Sequence, residues 1–189
     1  MPTIRTFIAI ELPSEAKNEL AGITAGFKKS GADVKWVRPE TVHLTLKFLG
    51  SVPEEKLSSI SEKINEVAKS ISSFDLTLGE VGVFPDWKRP RVVWVGIDGA
   101  KGVLEGIAGR IEDAMASLGF GKETRGFKSH LTLGRVRSPK NKEELEKIAR
   151  DIEIKPVPVP VFDIILFKSE LTREGAIHTP LEKFNLKSK

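Results

Sequence analysis

The tetrapeptide His-Leu-Thr-Leu occurs twice in this chain, at residues 43–46 and again at residues 130–133. The whole sequence of 189 residues contains only three histidines, and two of them begin these copies. The copies lie about half a chain apart, and each falls in a segment with the apolar pattern of a strand. The repeat therefore predicts an internal duplication, in which two similar halves each supply one such strand.

Extended and helical patterns follow a similar order in the two halves, with two helices in each. This order predicts an α+β fold: a single two-lobed domain, residues 1–189, with two antiparallel sheets and flanking helices related by approximate two-fold symmetry. We expect the boundary between the halves near residues 98–102. The predicted strands are 4–12, 33–39, 42–50, 74–85, 91–98, 127–136, 159–171 and 177–186, and the predicted helices are 13–29, 52–71, 101–119 and 141–152.

The composition limits the class of protein. Hydrophobic residues at 40% and charged residues at 30% are typical of a globular protein, and the longest apolar runs are too short to span a bilayer. Because no basic leader with a long apolar block is present, we expect a cytoplasmic protein without a membrane partner. The absence of cysteine excludes disulfides, thiolate metal sites and cysteine nucleophiles. A net charge of +4 favours anionic partners without identifying one.

The first copy of the repeat predicts a histidine and a threonine on one face of a strand. Side chains alternate along a strand, so His43, Thr45 and Lys47 are expected to face a cleft or solvent. The apolar face, with Leu44, Leu46 and Phe48, is expected in the core.

The second copy places His130 and Thr132 together in the same way. Strict alternation would then send Arg135 into the core, which is costly for a guanidinium group. We therefore predict a β-bulge at Gly134, which shifts the alternation by one residue and returns Arg135 to the face of His130.

Two such strands, related by two-fold symmetry, would place two imidazoles opposite each other across a small pocket that suits a tetrahedral anion. In-line displacement at phosphorus benefits from a base on one side and an acid on the other, and histidine can act as either near neutral pH. Two threonine hydroxyls and Arg135 could bind the non-bridging oxygens. The residues alone leave open which histidine is the acid.

Competing interpretations are weaker. A zinc site would have only Glu40 as a nearby carboxylate, and would need His178 or a distant acid as a further ligand. His178 is followed directly by Thr179 and lacks the x-Thr spacing of the two motifs; we expect it to be a surface or packing residue, with lining of the cleft as the lesser alternative. The sequence contains neither a phosphate-binding loop motif nor a nucleophile elbow.

The segments "WVRPETVHLTLKFLG", "GVFPDWKRPRVVWVGI" and "GFKSHLTLGRV" resemble the two-histidine (2H) phosphoesterases, specifically the RNA 2′,3′-cyclic phosphodiesterases also called 2′-5′ RNA ligases. The resemblance implies a bilobal fold with a central cleft, and hydrolysis of an RNA 2′,3′-cyclic phosphate end to a 2′-phosphomonoester without a metal or other cofactor. It implies that His43 is the proton donor and His130 the proton acceptor, with Thr45, Thr132 and Arg135 binding the phosphate. It also implies that the same pair could join a cyclic phosphate end to a 5′-hydroxyl, which is 2′-5′ ligation.

The resemblance implies an RNA partner, with tRNA fragments among the candidates, and we expect a monomer. Aromatic and cationic residues near both motifs could stack bases and meet phosphates, although the aromatic rings could equally belong to the core. Relatives tend to carry tyrosine near the position of His178, so an aromatic contact from that strand is in doubt. The alternatives are a non-catalytic RNA-end-binding protein and a phosphodiesterase for small cyclic nucleotides. The candidate RNA contacts are Trp36, Arg38, Phe84, Trp87, Lys88, Arg89, Arg91 and Trp94.

Overall fold

A computed structural model describes residues 2–124, 126–173 and 175–188. In these residues it contains nine strands and four α-helices, and the predicted α+β class is confirmed. Residues 39–41 and 54–56 form short 3₁₀ turns. The strands are β1 (Thr3–Glu11), β2 (Val34–Trp36), β3 (His43–Pro53), β4 (Phe74–Phe84), β5 (Val92–Asp98), β6 (His130–Val136), β7 (Pro158–Val161), β8 (Asp163–Leu171) and β9 (Ala176–Asn185), and the helices are α1 (Ser14–Lys28), α2 (Leu57–Ala68), α3 (Lys101–Ser117) and α4 (Lys142–Asp151).

The strands form two sheets, as predicted, and every neighbouring pair is antiparallel. The first sheet has the order β3-β1-β8-β9, and the second has the order β2-β6-β5-β4-β7. The apolar faces of both sheets share one continuous core, to which Leu44 of β3 and Leu131 of β6 both belong. The helices α1 and α4 contact each other, as do α2 and α3. Within the described residues, no helix is both long and apolar enough to cross a bilayer.

The sequence halves and the sheets do not coincide. Strands β2 and β4 come from the first half but lie in the second sheet, whereas β8 and β9 come from the second half and lie in the first sheet. The expected boundary at residues 98–102 is only the connection from β5 to α3, and the chain stays in the second sheet from β4 to β7. The duplication is therefore interlocked, because each half contributes strands to both sheets.

One predicted strand, 159–171, is wrong as a single element. It divides at Phe162 into β7 at the edge of the second sheet and β8 inside the first sheet. Pro158 and Pro160 lie in β7, and an edge strand tolerates prolines because one side of its backbone needs no ladder partner.

Strand β3 contains a bulge that alternation did not predict. Ala9 of β1 pairs with Thr45, but the next pair is Ile8 with Lys47, so Leu46 is an extra residue. The two expectations for the following residues are therefore wrong: Lys47 is 6% exposed and Phe48 is 64% exposed.

The buried Lys47 is satisfied by polar partners from α3 and the segment after it. Its ammonium group lies 2.7 Å from a carboxylate oxygen of Glu112 and 3.0 Å from the carbonyl oxygen of Gly121. A buried ammonium group requires such partners. This contact ties β3 to the second half of the sequence.

Strand β6 contains the same bulge, and here it was predicted. Trp94 pairs with Thr132, and the next pair is Val93 with Gly134, so Leu133 is the extra residue. The predicted phase shift beside Gly134 is confirmed, and Arg135 is exposed.

Candidate active site

The two repeated motifs lie where the sheets meet. Strands β3 and β6 contact each other although they belong to different sheets. His43 begins β3 and His130 begins β6, and both side chains are partly exposed on the strand face opposite the buried leucines. The repeat thus contributes one imidazole to each side of the junction between the sheets.

Both imidazoles make the same local hydrogen bond. Nδ1 of His43 lies 2.9 Å from the carbonyl oxygen of Thr41, and Nδ1 of His130 lies 2.7 Å from the carbonyl oxygen of Lys128. A carbonyl only accepts, so each Nδ1 carries the proton and donates it to the residue two positions earlier. In the neutral form each Nε2 then has a lone pair and can accept a proton; either ring becomes an acid only after taking up a second proton.

His43 is enclosed by aromatic rings. Its ring stacks on Phe7 at a centroid distance of 4.5 Å, and Phe7 in turn stacks on Phe167 at 5.2 Å. Phe7, Phe167 and their buried neighbours form a small apolar cluster on the face of the first sheet opposite the main core. The ring of His178 lies 5.0 Å from His43, nearly perpendicular to it.

This enclosure changes the proton affinity of His43. Burial lowers the pKa of His43 to about 4, and the hydrogen bond to Thr41 opposes the shift only in part. Nearby His178 and Lys17 lower the pKa further, while Glu11 raises it. His43 is therefore neutral near pH 7 when no anion is bound.

His130 has a different aromatic neighbour. The ring of Phe84 lies 5.0 Å from it in an edge-to-face arrangement, and Phe84 also lies 5.0 Å from Trp94. The ammonium group of Lys128 is 5.5 Å from the centre of the Phe84 ring. Phe84 and Trp94 therefore flank the second motif. The alternative expectation was that these rings pack in the core.

Because β3 and β6 carry the same bulge, residues at the same distance after each threonine occupy equivalent places in the two strands. Both strands show the same burial order from the histidine onward, and this order places Phe48 in the first strand where Arg135 stands in the second. Thr45 and Thr132 are half-buried at equivalent positions. Sequence reasoning missed Phe48, although Phe48 and Arg135 each lie five residues after their histidine, and this equal spacing was the available signal.

The other candidate RNA contacts divide into two groups. Trp36 stacks on Phe27 of the core at 5.9 Å, as the core alternative expects. Trp87 lines a separate surface recess with a volume of about 550 Å³. The residues that line this recess with it are Asp86, Lys88, Lys142 and Glu146.

The metal alternative finds no support in the part of the chain that the structure describes. Among those residues, no group of three or more histidine, cysteine, aspartate or glutamate side chains is arranged to hold a metal ion. His178, the suggested further ligand, instead packs edge-on against the stacked rings of His43 and Phe7. The expectation that His178 packs rather than ligates fits this position.

A duplicated α+β fold with one H-x-T motif in each half, the motifs meeting between two antiparallel sheets, defines the class of two-histidine phosphoesterases. The chain belongs to the LigT-like phosphoesterase family, whose model matches it twice, at residues 10–94 and at residues 95–178. The double match confirms the duplication that the repeat predicted.

Curated relatives match over nearly their whole length. An RNA 2′,3′-cyclic phosphodiesterase of Methanocaldococcus jannaschii is 36% identical over 184 residues, which cover 96% of this chain and 100% of the relative. One from Methanothermobacter thermautotrophicus is 32% identical, with coverage of 97% and 99%. Among solved structures, the Thermus thermophilus protein TT0787 has a TM-score of 0.80 at 28% identity, covering 98% and 99%. Escherichia coli LigT in complex with 3′-AMP has a TM-score of 0.76 at 28% identity, covering 97% and 98%.

Proposed function

We propose that this protein hydrolyses the 2′,3′-cyclic phosphate at the end of an RNA chain to a 2′-phosphomonoester. The observation that carries the proposal is the repeated imidazole, held at both His43 and His130 by the same Nδ1–H to carbonyl hydrogen bond. The names of the full-length relatives supply the substrate class. The complex of Escherichia coli LigT with 3′-AMP supports a nucleotide in the site.

In the proposed reaction each imidazole moves one proton. Nε2 of His130 takes a proton from water as the water oxygen attacks phosphorus, and the bond from phosphorus to the 3′ oxygen breaks. Protonated His43 gives its Nε2 proton to that leaving oxygen. After product release His130 gives its proton to solvent and is again neutral, and His43 takes up a proton from solvent when the next substrate binds.

The acid role requires His43 to gain a proton when substrate binds. Burial holds the pKa of His43 at about 4 in the empty site. An anionic phosphate against Nε2 favours the imidazolium form and raises the pKa. Substrate binding should therefore be accompanied by proton uptake, and binding should weaken as the pH rises above about 4.

The remaining site residues are proposed to bind the substrate. The hydroxyls of Thr45 and Thr132 and the guanidinium group of Arg135 would hold the non-bridging oxygens and stabilise the charge that develops on them. Phe48, exposed on the same face as His43, offers an aromatic surface on which a nucleobase can stack, worth about 1–3 kcal/mol.

Two finer points belong to the same proposal. If a 5′-hydroxyl replaces water as the nucleophile, the same pair would join a cyclic end to it through a 2′-5′ bond: His130 takes the hydroxyl proton and His43 protonates the leaving 3′ oxygen. Because one chain supplies both histidines, a monomer is sufficient for activity. We propose that it acts on RNA in the cytoplasm.

The direct test incubates the purified protein with an oligonucleotide that ends in a 2′,3′-cyclic phosphate, in the presence of EDTA. The expected product is the 2′-phosphate, identified by ³¹P NMR. Tight binding without product would favour an RNA-end-binding protein, and loss of turnover in EDTA would restore the metal alternative. A small cyclic nucleotide serves as the comparison substrate. As the salt concentration rises, kcat/KM should fall more steeply for the oligonucleotide than for the small nucleotide, because the longer chain carries more phosphates.

The donor role of His43 has its own test. In a cyclic substrate whose 3′ bridging oxygen is replaced by sulfur, the leaving thiol has a pKa of about 8.5 and departs without a donated proton. His43→Ala should lose little activity on this substrate and most of its activity on the oxygen substrate. If His130→Ala is instead the variant that the sulfur substrate rescues, the donor and acceptor roles are reversed.

A further inference from the structure

His178 lies beside His43 although it belongs to neither repeated motif. It stands on β9, paired with Ser169 of β8, in the sheet that carries His43. Its ring centre lies 5.0 Å from that of His43 at an interplanar angle of 89°, and 4.9 Å from that of Phe7 at 78°. The His178 ring therefore packs edge-to-face against the rings of His43 and Phe7, which stack on each other.

These contacts restrain the ring of His43 more than the described residues restrain the ring of His130. The ring of His43 is held by the carbonyl of Thr41, by the face of Phe7 and by the ring of His178. The carbonyl hydrogen bond alone permits the ring to tilt about the bond that joins it to Cβ. Contacts on two further sides remove that freedom. The restraint matters because a proton donor must hold its position to within a few tenths of an ångström.

The charge state of His178 suits this position. Burial lowers its pKa, and Arg38 nearby lowers it further, so the ring is neutral near pH 7. Charge on His178 lowers the pKa of His43, so a His178 ring that stays neutral limits this repulsion when His43 takes up a proton. Nδ1 of His178 is buried without a hydrogen-bond partner in the described part of the chain, so this nitrogen stabilises no neighbouring group and the contact with His43 is one of ring packing.

We propose that His178 is a positioning residue for proton transfer, whose ring keeps the imidazole of His43 aimed at the leaving oxygen. The inference rests on the proposed function and assigns a role on β9 that neither motif contains. It predicts that kcat depends on the presence of an aromatic ring at position 178 and does not depend on the nitrogen atoms of that ring.

The test compares His178→Ala with His178→Phe, and uses Thr179→Ala as the control because Thr179 is the exposed neighbour on the same strand. With the oxygen substrate, kcat of His178→Ala should fall about tenfold while KM changes less than twofold, because loss of orientation affects the chemical step. With the bridging-sulfur substrate, which needs no donated proton, the loss should be less than twofold. His178→Phe should stay within about threefold of the unaltered enzyme on both substrates.

A second measurement does not depend on turnover. Stacking on Phe7 should shift the NMR signals of the His43 ring protons; this ring-current shift should shrink in His178→Ala and persist in His178→Phe. If His178→Ala does not fold, His178→Leu supplies the same removal of the ring.

Three results would overturn the inference: unchanged kcat in the variant without the ring, an equal loss on both substrates, or failure of His178→Phe to restore activity. The proposed function fails separately, by absence of turnover in the unaltered enzyme.

Discussion

His43 and His130 share a backbone setting and differ in what surrounds the ring. The identical Nδ1 hydrogen bond fixes the same tautomer in both, so each presents Nε2 to the substrate. His43, however, lies between Phe7 and His178, whereas His130 touches the edge of Phe84 beside the ammonium group of Lys128. Duplication thus supplied two equal imidazoles, and divergence of the neighbouring rings made their environments unequal, as paired acid and base catalysis requires.

The pair should behave as one unit under mutation. His43→Ala and His130→Ala should each lower kcat by about 10²–10⁴-fold, because each removes one proton transfer. The double variant should be no more than about tenfold slower than the slower single variant, because loss of either partner already disables the concerted step. Single-turnover rates on a cyclic-ended oligonucleotide measure this, with Lys63→Ala in helix α2 as the control. Fully multiplicative losses would show that the two residues act independently.

At the scale of elements, the bulges in β3 and β6 were not equally predictable. In the second copy, unbroken alternation would bury Arg135, and that conflict predicted the bulge. In the first copy, alternation puts Phe48 in the core and Lys47 in solvent, which looks favourable, so alternation shows no conflict there and the only signal is the equal spacing of Phe48 and Arg135 from their histidines. Only the register with β1 and the partners of Lys47 in the folded chain reveal it.

The contact between His178 and His43 was unpredictable for a related reason. It depends on the order β3-β1-β8-β9, in which Phe7 of the central strand β1 lies between elements from opposite ends of the chain. Strand patterns in the sequence predict which segments are extended and which face is apolar. They do not predict that β8 and β9 cross into the sheet of the first half, and His43 gains His178 as a neighbour through that crossing.

Gly134 provides a test of how closely β2 approaches β6 beside the bulge. A Cβ atom at this position would lie 2.6 Å from Cγ1 of Val34 and 2.8 Å from Cε3 of Trp36, both on the adjoining strand β2. Gly134→Ala should therefore lower the free energy of unfolding by about 1–3 kcal/mol through overpacking. The matched control is Gly109→Ala in α3, where a Cβ meets nothing within 4 Å and should stabilise the helix by up to about 1 kcal/mol.

Urea unfolding of both variants measures these changes, and kcat/KM shows whether the displaced strand also misplaces Arg135. Equal stability of the two alanine variants would contradict the close approach of β2 to β6.

At the scale of the whole molecule, the candidate active site adds to the cost of folding at low pH. The site lies at the junction of two interlocked sheets, so His43 can be enclosed only when strands from both ends of the chain are in place. Folding therefore moves this imidazole from water into an apolar setting in one cooperative step. Its proton equilibrium is linked to the stability of the entire chain.

The linkage has a definite sign. The pKa of His43 is about 4 in the folded chain, below its ordinary value of 6.5, so the unfolded chain binds the proton first as the pH falls. Stability is full above about pH 6.5, decreases through the window from 6.5 to 4, and changes no further below it through this group. Over this whole window the loss amounts to about 3 kcal/mol. Groups facing His43 modulate the window: Lys17 and His178 lower the pKa and Glu11 raises it.

The expected outcome is a difference between the unaltered protein and His43→Gln. Carboxylates titrate in both proteins, so each will lose stability in acid, and the difference isolates the imidazole. Between pH 7.5 and 4.5, the free energy of unfolding in urea should fall by about 2 kcal/mol more in the unaltered protein than in His43→Gln. Phosphate should reduce this difference if it binds the folded site, because an anion against His43 stabilises the protonated form. Parallel pH profiles for the two proteins would mean that His43 titrates as it does in water, and both its enclosure and the proton uptake proposed for substrate binding would have to be abandoned.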